Sequence, residues 1–163
     1  MKVNIVYLIL GSNLGNKEHY LLKATDYIEQ KIGKIILKSS VYNTLPWGNS
    51  DQNNFLNQVI GIETSHAAEK ILSEILSIEK KLQRIRNHKW EARTIDIDIL
   101  FFNSEIIDTS RLTIPHPLLH ERRFVLVPLA EIAPDLAHPI LLKPIKQLLI
   151  ECKDELDVSH SVT

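Results

Sequence analysis

The chain has 163 residues, with 19 Lys plus Arg against 20 Asp plus Glu and a formal net charge of −1. That balance excludes a protein whose main task is coating nucleic acid or an anionic membrane, although it leaves room for a local basic pocket. At 44% hydrophobic and 24% charged residues, the length suits one domain over 1–163, able to bury about 70% of its unfolded surface without a metal or disulfide.

Cys152 is the only cysteine, which excludes an intrachain disulfide and a thiolate zinc cluster. The apolar run Ile5 to Leu10 is too short for a signal-peptide core and far short of the roughly 20 residues that span a bilayer. It reads as a buried strand, and the protein is expected in the cytoplasm.

In chain order, Val3 to Leu10 predicts a strand, followed by the turn Gly11-Ser12-Asn13-Leu14-Gly15-Asn16. From Lys17 to Ile32, apolar Leu21, Ala24, Ile28 and Ile32 recur at helical spacing, and Gly33 ends the run. Lys34 to Thr44 reads as a second strand. Leu45 to Asn54 holds Pro46, Gly48 and three asparagines, a loop long enough to be functional. Phe55 to Glu63 is strand-like. A helix then follows a Thr64-Ser65 cap and runs to about Arg84, with Ile71, Ile75, Ile78, Leu82 and Ile85 on one face. After the polar stretch 86–92, Thr94 to Phe102 is the clearest strand of the chain. Six prolines beyond it predict a loop-rich region, with short helices at Arg123 to Ile132 and Ile145 to Ile150. The polar tail from Asp154 is expected to fray. Strand-helix-strand, twice over, predicts two split βαβ units in one antiparallel sheet with helices on one face.

The chemistry concentrates at Arg93-Thr94-Ile95-Asp96-Ile97-Asp98-Ile99-Leu100. Strand side chains alternate, so Asp96 and Asp98 project from one face while Ile95, Ile97 and Ile99 enter the core. Carboxylates about 7 Å apart along a strand suit a hard divalent cation, with an anionic ligand supplying further oxygens. A merely solvated strand face fits less well, because aspartate is depleted in strands and two on one face repel. Basic residues bracket the pair: Lys80, Lys81, Arg84, Arg86, Lys89 and Arg93 before it, Arg111, His116, Arg122 and Arg123 after it. Arginine offers a planar fork for phosphate, whereas Lys80 and Lys81 read as a solvated helix face. No Gly-x-x-x-x-Gly-Lys-Ser/Thr loop is present, so a nucleotide here would be held by arginines and metal. His116 lies between Pro115 and Pro117, which restricts where its ring points. Phe55 and Phe124, taken alone, read as core packing.

Gly11-Ser12-Asn13-Leu14-Gly15, Phe55-Leu56-Asn57, Arg84-Ile85-Arg86, the Arg93 to Asp98 run, Pro115-His116-Pro117 and Arg122-Arg123-Phe124 occur in this order. The set resembles the 6-hydroxymethyl-7,8-dihydropterin pyrophosphokinases of folate biosynthesis, from Val3 to about Pro134. The resemblance implies an α+β, ferredoxin-like fold and transfer of pyrophosphate from MgATP to the pterin hydroxymethyl group, with release of AMP. It implies two Mg2+ ions on Asp96 and Asp98. Arg84, Arg93, His116 and Arg122 match triphosphate-binding positions, Arg84 and Arg93 also as catalytic residues. Thr44, Phe55, Asn57 and Phe124 match the pterin pocket, the two phenylalanines stacking on opposite ring faces. Trp90 sits on a segment resembling the family's mobile loop, Trp47 on the other loop, and Glu79 at a recurrent acidic position of the second helix. Glu91 stands where the family usually has glycine, Trp47 where a smaller aliphatic residue is common, and Leu45 where proline is common. The expected partners are small molecules, with no nucleic acid or membrane, and the chain is expected to act as a monomer.

Two other classes share parts of this pattern. RNA-binding modules use similar sheets, but this chain lacks an aromatic Lys/Arg-Gly-Phe-Gly-Phe run and places aspartates on the key strand. A metal-dependent phosphohydrolase would also use paired aspartates, and differs in its product.

Overall fold

A computed structural model describes residues 2–45, 53–82 and 94–161. Strand β1 (Asn4–Ser12) enters helix α1 (Lys17–Lys31) through Asn16, whose side chain accepts the His19 N–H at 3.1 Å. This satisfies one orphan amide of the first turn. The chain reverses at Gly33, where a Cβ would lie 2.1 Å from the Glu63 carbonyl oxygen, so only glycine fits.

The strand expected over 34–44 is two, β2 (Lys34–Lys38) and β3 (Tyr42–Thr44). Ser39 breaks it: its hydroxyl accepts the Val59 N–H at 3.0 Å while its own N–H donates to the Val59 carbonyl at 2.9 Å. Next come β4 (Phe55–Thr64), α2 (Ala68–Lys81) and β5 (Asp96–Phe102). The expected Thr64-Ser65 cap of α2 is not formed. Thr64 closes β4 and its hydroxyl donates to the Ile32 carbonyl at 2.6 Å, while the N-cap is Ala67, without a side-chain bond. A short hairpin, β6 (Ile107–Asp108) and β7 (Thr113–Ile114), precedes α3 (Arg123–Ile132) and α4 (Ile145–Glu151). The tail does not fray: β8 (Val158–His160) pairs with β3.

The main sheet runs β5-β1-β4-β3-β8, with β2 also paired to β4, and all pairings are antiparallel. Since β2 and β5 reach the sheet through α1 and α2 with one strand between each pair, the fold is the double split βαβ that the element order predicts. Helices pack on both faces rather than one. On the first, Leu21, Ala24 and Ile28 of α1 and Ile71, Ile75 and Ile78 of α2 bury Leu8, Leu10, Ile60, Ile97 and Ile99. On the second, Val125, Leu126 and Leu129 of α3 and Ile145 and Leu148 of α4 bury Tyr7, Ile9, Val59 and Phe101. Among the described residues no helix is long and apolar enough to cross a membrane.

Candidate active site

The second helical layer covers only part of its sheet face. Beyond Tyr7, Ile9, Val59 and Phe101, which that layer buries, the cross-strand register sets a row of residues at the ends of β1, β4 and β5. Asp96 of β5 lies opposite Gly11 of β1, Gly11 opposite Asn57 of β4, and Asn57 opposite Tyr42 of β3. With neighbouring strands about 4.8 Å apart, Asp96 and Asn57 are roughly 10 Å from each other across the sheet. Gly11 is the bare floor between them. A Cβ there would meet Asn57 Oδ1 at 2.5 Å and Phe55 Cδ1 at 3.5 Å, so any side chain would displace the amide.

On β5, Asp96 and Asp98 are half-buried while Ile95, Ile97 and Ile99 are buried, as alternation requires. Glu79 of α2, 2% exposed, reaches this strand, and its Oε2 accepts the Ile97 N–H at 3.0 Å. That amide sits between the two aspartates, so α2 fixes the backbone from which both project.

His116 lies in the field of Asp96, and Arg122 in the field of both aspartates. The His116 N–H donates to the Leu100 carbonyl at 3.1 Å, and its ring Nδ1 accepts the Leu118 N–H at 3.2 Å. The neutral ring therefore carries its proton on Nε2. Burial pushes the His116 pKa down to about 4; Arg122 adds to the fall, and Asp96 opposes it. The ring is neutral at pH 7. Burial also lowers Arg122 below the ordinary guanidinium value, against Asp98, Asp96 and Glu121, which all favour the cation. Arg122 nevertheless stays charged, because a guanidinium is not deprotonated in proteins. Its Cζ lies 5.6 Å from the Phe124 ring centroid.

The far wall is apolar and hydrogen-bonding in turn. Asn57 Nδ2 donates to Thr44 Oγ1 at 2.6 Å, and both residues are buried. This leaves Asn57 Oδ1 as an acceptor over Gly11, and the Thr44 hydroxyl proton as a donor. Phe55, opposite Thr44 in the β3–β4 ladder, and Phe124, on the first turn of α3, are half-buried rather than core residues.

The structure thus brings Asp96, Asp98, His116, Arg122, Thr44, Phe55, Asn57 and Phe124 to one end of the sheet, with Glu79 behind β5. Trp47, Arg84, Trp90, Glu91 and Arg93 lie outside the described residues. The residues that flank them are tied to described ones. Asn13 Nδ2 and Lys17 Nζ donate to the Asn53 and Asn54 carbonyls at 3.3 and 3.2 Å, and Thr94 Oγ1 donates to the Leu82 carbonyl at 2.9 Å.

Sequence reasoning passed over two residues here. Gly11, read as part of a turn, is in β1, and a glycine closing an apolar strand is itself a sign of close approach. Asp154 sits in a stretch read as a frayed tail, yet its Oδ2 accepts the Arg123 N–H at 3.0 Å. Inward Cys152, Asp154, Leu156 and Val158, each half-buried between exposed neighbours, are the period-two signal that could have found it.

A family model described as 7,8-dihydro-6-hydroxymethylpterin-pyrophosphokinase matches residues 7–134. The chain is 44% identical over 144 residues to a 2-amino-4-hydroxy-6-hydroxymethyldihydropteridine pyrophosphokinase of Aquifex aeolicus, covering 87% of this chain and 88% of that one. It is 46% identical over 130 residues to a protein of the same name from Bacillus subtilis, covering 79% and 78%. Among solved structures, wild-type Plasmodium falciparum HPPK-DHPS with pteroate superposes at a TM-score of 0.75 and 20% identity over 92% of this chain. This chain spans 42% of that one, and the likeness carries the fold alone.

Proposed function

The chain belongs to the 7,8-dihydro-6-hydroxymethylpterin-pyrophosphokinase family, and on that premise we propose how its own residues divide the work. The enzyme transfers pyrophosphate from ATP to the hydroxymethyl group of 6-hydroxymethyl-7,8-dihydropterin, giving the pterin diphosphate and AMP in folate biosynthesis. The pterin hydroxyl oxygen bonds to the β-phosphorus, the bond from that phosphorus to the α–β bridging oxygen breaks, and AMP leaves with the bridging oxygen. The hydroxyl proton is released to water, so the products are the pterin diphosphate, AMP and a proton.

The observation that carries the residue assignment is the row Asp96–Gly11–Asn57, with Arg122 in the field of both aspartates and beside the Phe124 ring. It sets a two-carboxylate site and a hydrogen-bonding apolar slot at the two ends of one floor. The slot takes the pterin. Asn57 Oδ1 suits the amino and ring N–H donors of its edge, the Thr44 hydroxyl suits its carbonyl, and Phe55 and Phe124 stack on its faces.

Asp96 and Asp98 would hold Mg2+, two ions in this reading. The donor set fits, since magnesium takes one or two carboxylates and completes its shell with phosphate oxygens and water. Bound there, it would neutralise phosphate charge and lower the pKa of the attacking hydroxyl. Arg122, with Arg84 and Arg93, supplies fixed positive charge to the triphosphate, and neutral His116 donates Nε2–H to a phosphate oxygen. Trp47 and Trp90 belong to the two segments that would close over the substrates and keep water from the bound ATP. The described residues of the site all come from one chain, which fits a monomer, and the lone cysteine fits a cytoplasmic enzyme.

Product identity tests the reading. Phosphorus NMR of a reaction containing ATP, magnesium and the hydroxymethyl pterin is expected to show AMP and a pterin diphosphate in equal amounts. Free phosphate or ADP as the main product would instead mark a phosphohydrolase or a monophosphoryl kinase.

A further inference from the structure

The C-terminal stretch meets both walls of the proposed pterin slot. Helix α3 begins at Arg122, its N-cap, which makes no capping bond through its side chain. The cap comes from 31 residues downstream, as Asp154 Oδ2 accepts the Arg123 N–H at 3.0 Å. The second carboxylate oxygen accepts the Leu156 N–H at 3.0 Å, which fixes the orientation of the first. From there the chain continues into β8, where Val158 lies opposite Thr44 on the outer edge of β3. One short segment therefore holds the start of α3, with Arg122 and Phe124, and backs the strand that carries Thr44.

We propose that Asp154 is a positioning residue for pyrophosphoryl transfer: its carboxylate caps α3 and so holds Arg122 and Phe124 toward the triphosphate and the pterin. The proposal rests on the reading of those two residues as binding groups. A carboxylate is the right group for the task, since it satisfies an orphan N–H and complements the positive end of the helix. Without it the first turn of α3 opens part of the time, and apparent affinity falls by the fraction of molecules that remain competent. Loss of a side-chain cap shifts such an equilibrium by about fivefold.

The test uses the full chain with Asp154→Ala, Asp154→Asn, Phe124→Ala and, as a control in the opposite core, Ile28→Val. Pterin binding is measured by calorimetry in magnesium and a non-hydrolysable ATP analogue, beside KM, kcat and the melting temperature. Asp154→Ala is expected to raise the pterin Kd and KM measurably, by up to about fivefold, with kcat within about twofold. Asp154→Asn keeps one oxygen for the Arg123 amide and falls between; it carries the comparison should the alanine variant not fold. Ile28→Val lowers the melting temperature without moving the pterin Kd. If the Asp154 variants only melt earlier and bind pterin as tightly as the wild type, the positioning role is overturned. If Phe124→Ala also binds normally, the pocket assignment itself fails; if it binds weakly while the Asp154 variants do not, only the cap's role falls.

Discussion

Asp98→Ala is expected to abolish magnesium-dependent AMP release, by about 10³-fold or more, while the chain keeps its fold. The fold should survive because the Asp98 side chain belongs to neither core. Its strand is held by the β1 ladder, with Asp98 opposite Ile9, and by the buried Glu79 carboxylate on the Ile97 amide. None of those bonds uses the carboxylate of residue 98. Activity should not survive, because Asp96 alone leaves one carboxylate beside the half-buried Arg122 guanidinium, too little negative charge to hold the metal. Charge stabilisation by a bound metal is worth several kcal/mol, and each 1.36 kcal/mol is about tenfold in rate. Asp98→Asn is expected to fail nearly as completely, since it restores shape without charge. Circular dichroism beside an AMP assay checks both halves of the expectation, and retained magnesium-dependent turnover in a folded Asp98→Ala protein would sink the assignment.

Arg122→Ala is expected to lower kcat/KM for ATP by about 10²-fold, the usual effect of deleting one preorganised donor. This guanidinium is half-buried, carries charge in the field of Asp96 and Asp98, and lies beside the Phe124 ring. On the proposed reading, removal takes away a phosphate ligand, and it leaves the two aspartates with less compensation. Arg122→Lys should recover only a small part, because an ammonium presents a point charge where a planar fork can hold two oxygens. The measurement is steady-state kinetics with ATP varied at saturating pterin. A change below about fivefold would show that the triphosphate is held elsewhere, since most of a preorganised donor's effect would be missing.

Much of this molecule is legible in the sequence because its signals are local. The Asp96–Asp98 alternation, the apolar stripe of α1, that of α2 as far as Leu82 (Ile85 lies outside the described residues) and the bounds of α3 each follow from spacing within one element, and the structure places them there. Long-range bonds are what spacing does not carry. The break in the second strand depends on Ser39 bonding to Val59, twenty residues away. Glu131 of α3 anchors that same break, accepting from the Ser40 hydroxyl at 2.9 Å and from the Tyr42 hydroxyl at 2.7 Å. The tail, polar by composition, is ordered through a β3 edge and a helix terminus; its period-two alternation signals a strand but not the partners it finds. The second helical layer was hidden for the same reason: the prolines around α3 and α4 read as loop, while their apolar faces find the sheet only in three dimensions.

The central claim is that Asp96 and Asp98 form the floor on which divalent metal and triphosphate meet. Counting ions tests it most directly. Manganese is titrated into the enzyme held with saturating pterin and a non-hydrolysable ATP analogue, and bound ions are followed by electron paramagnetic resonance. The wild type is predicted to hold two ions per chain, and Asp98→Ala to lose at least one of them. Unchanged stoichiometry and affinity in that variant would contradict the account.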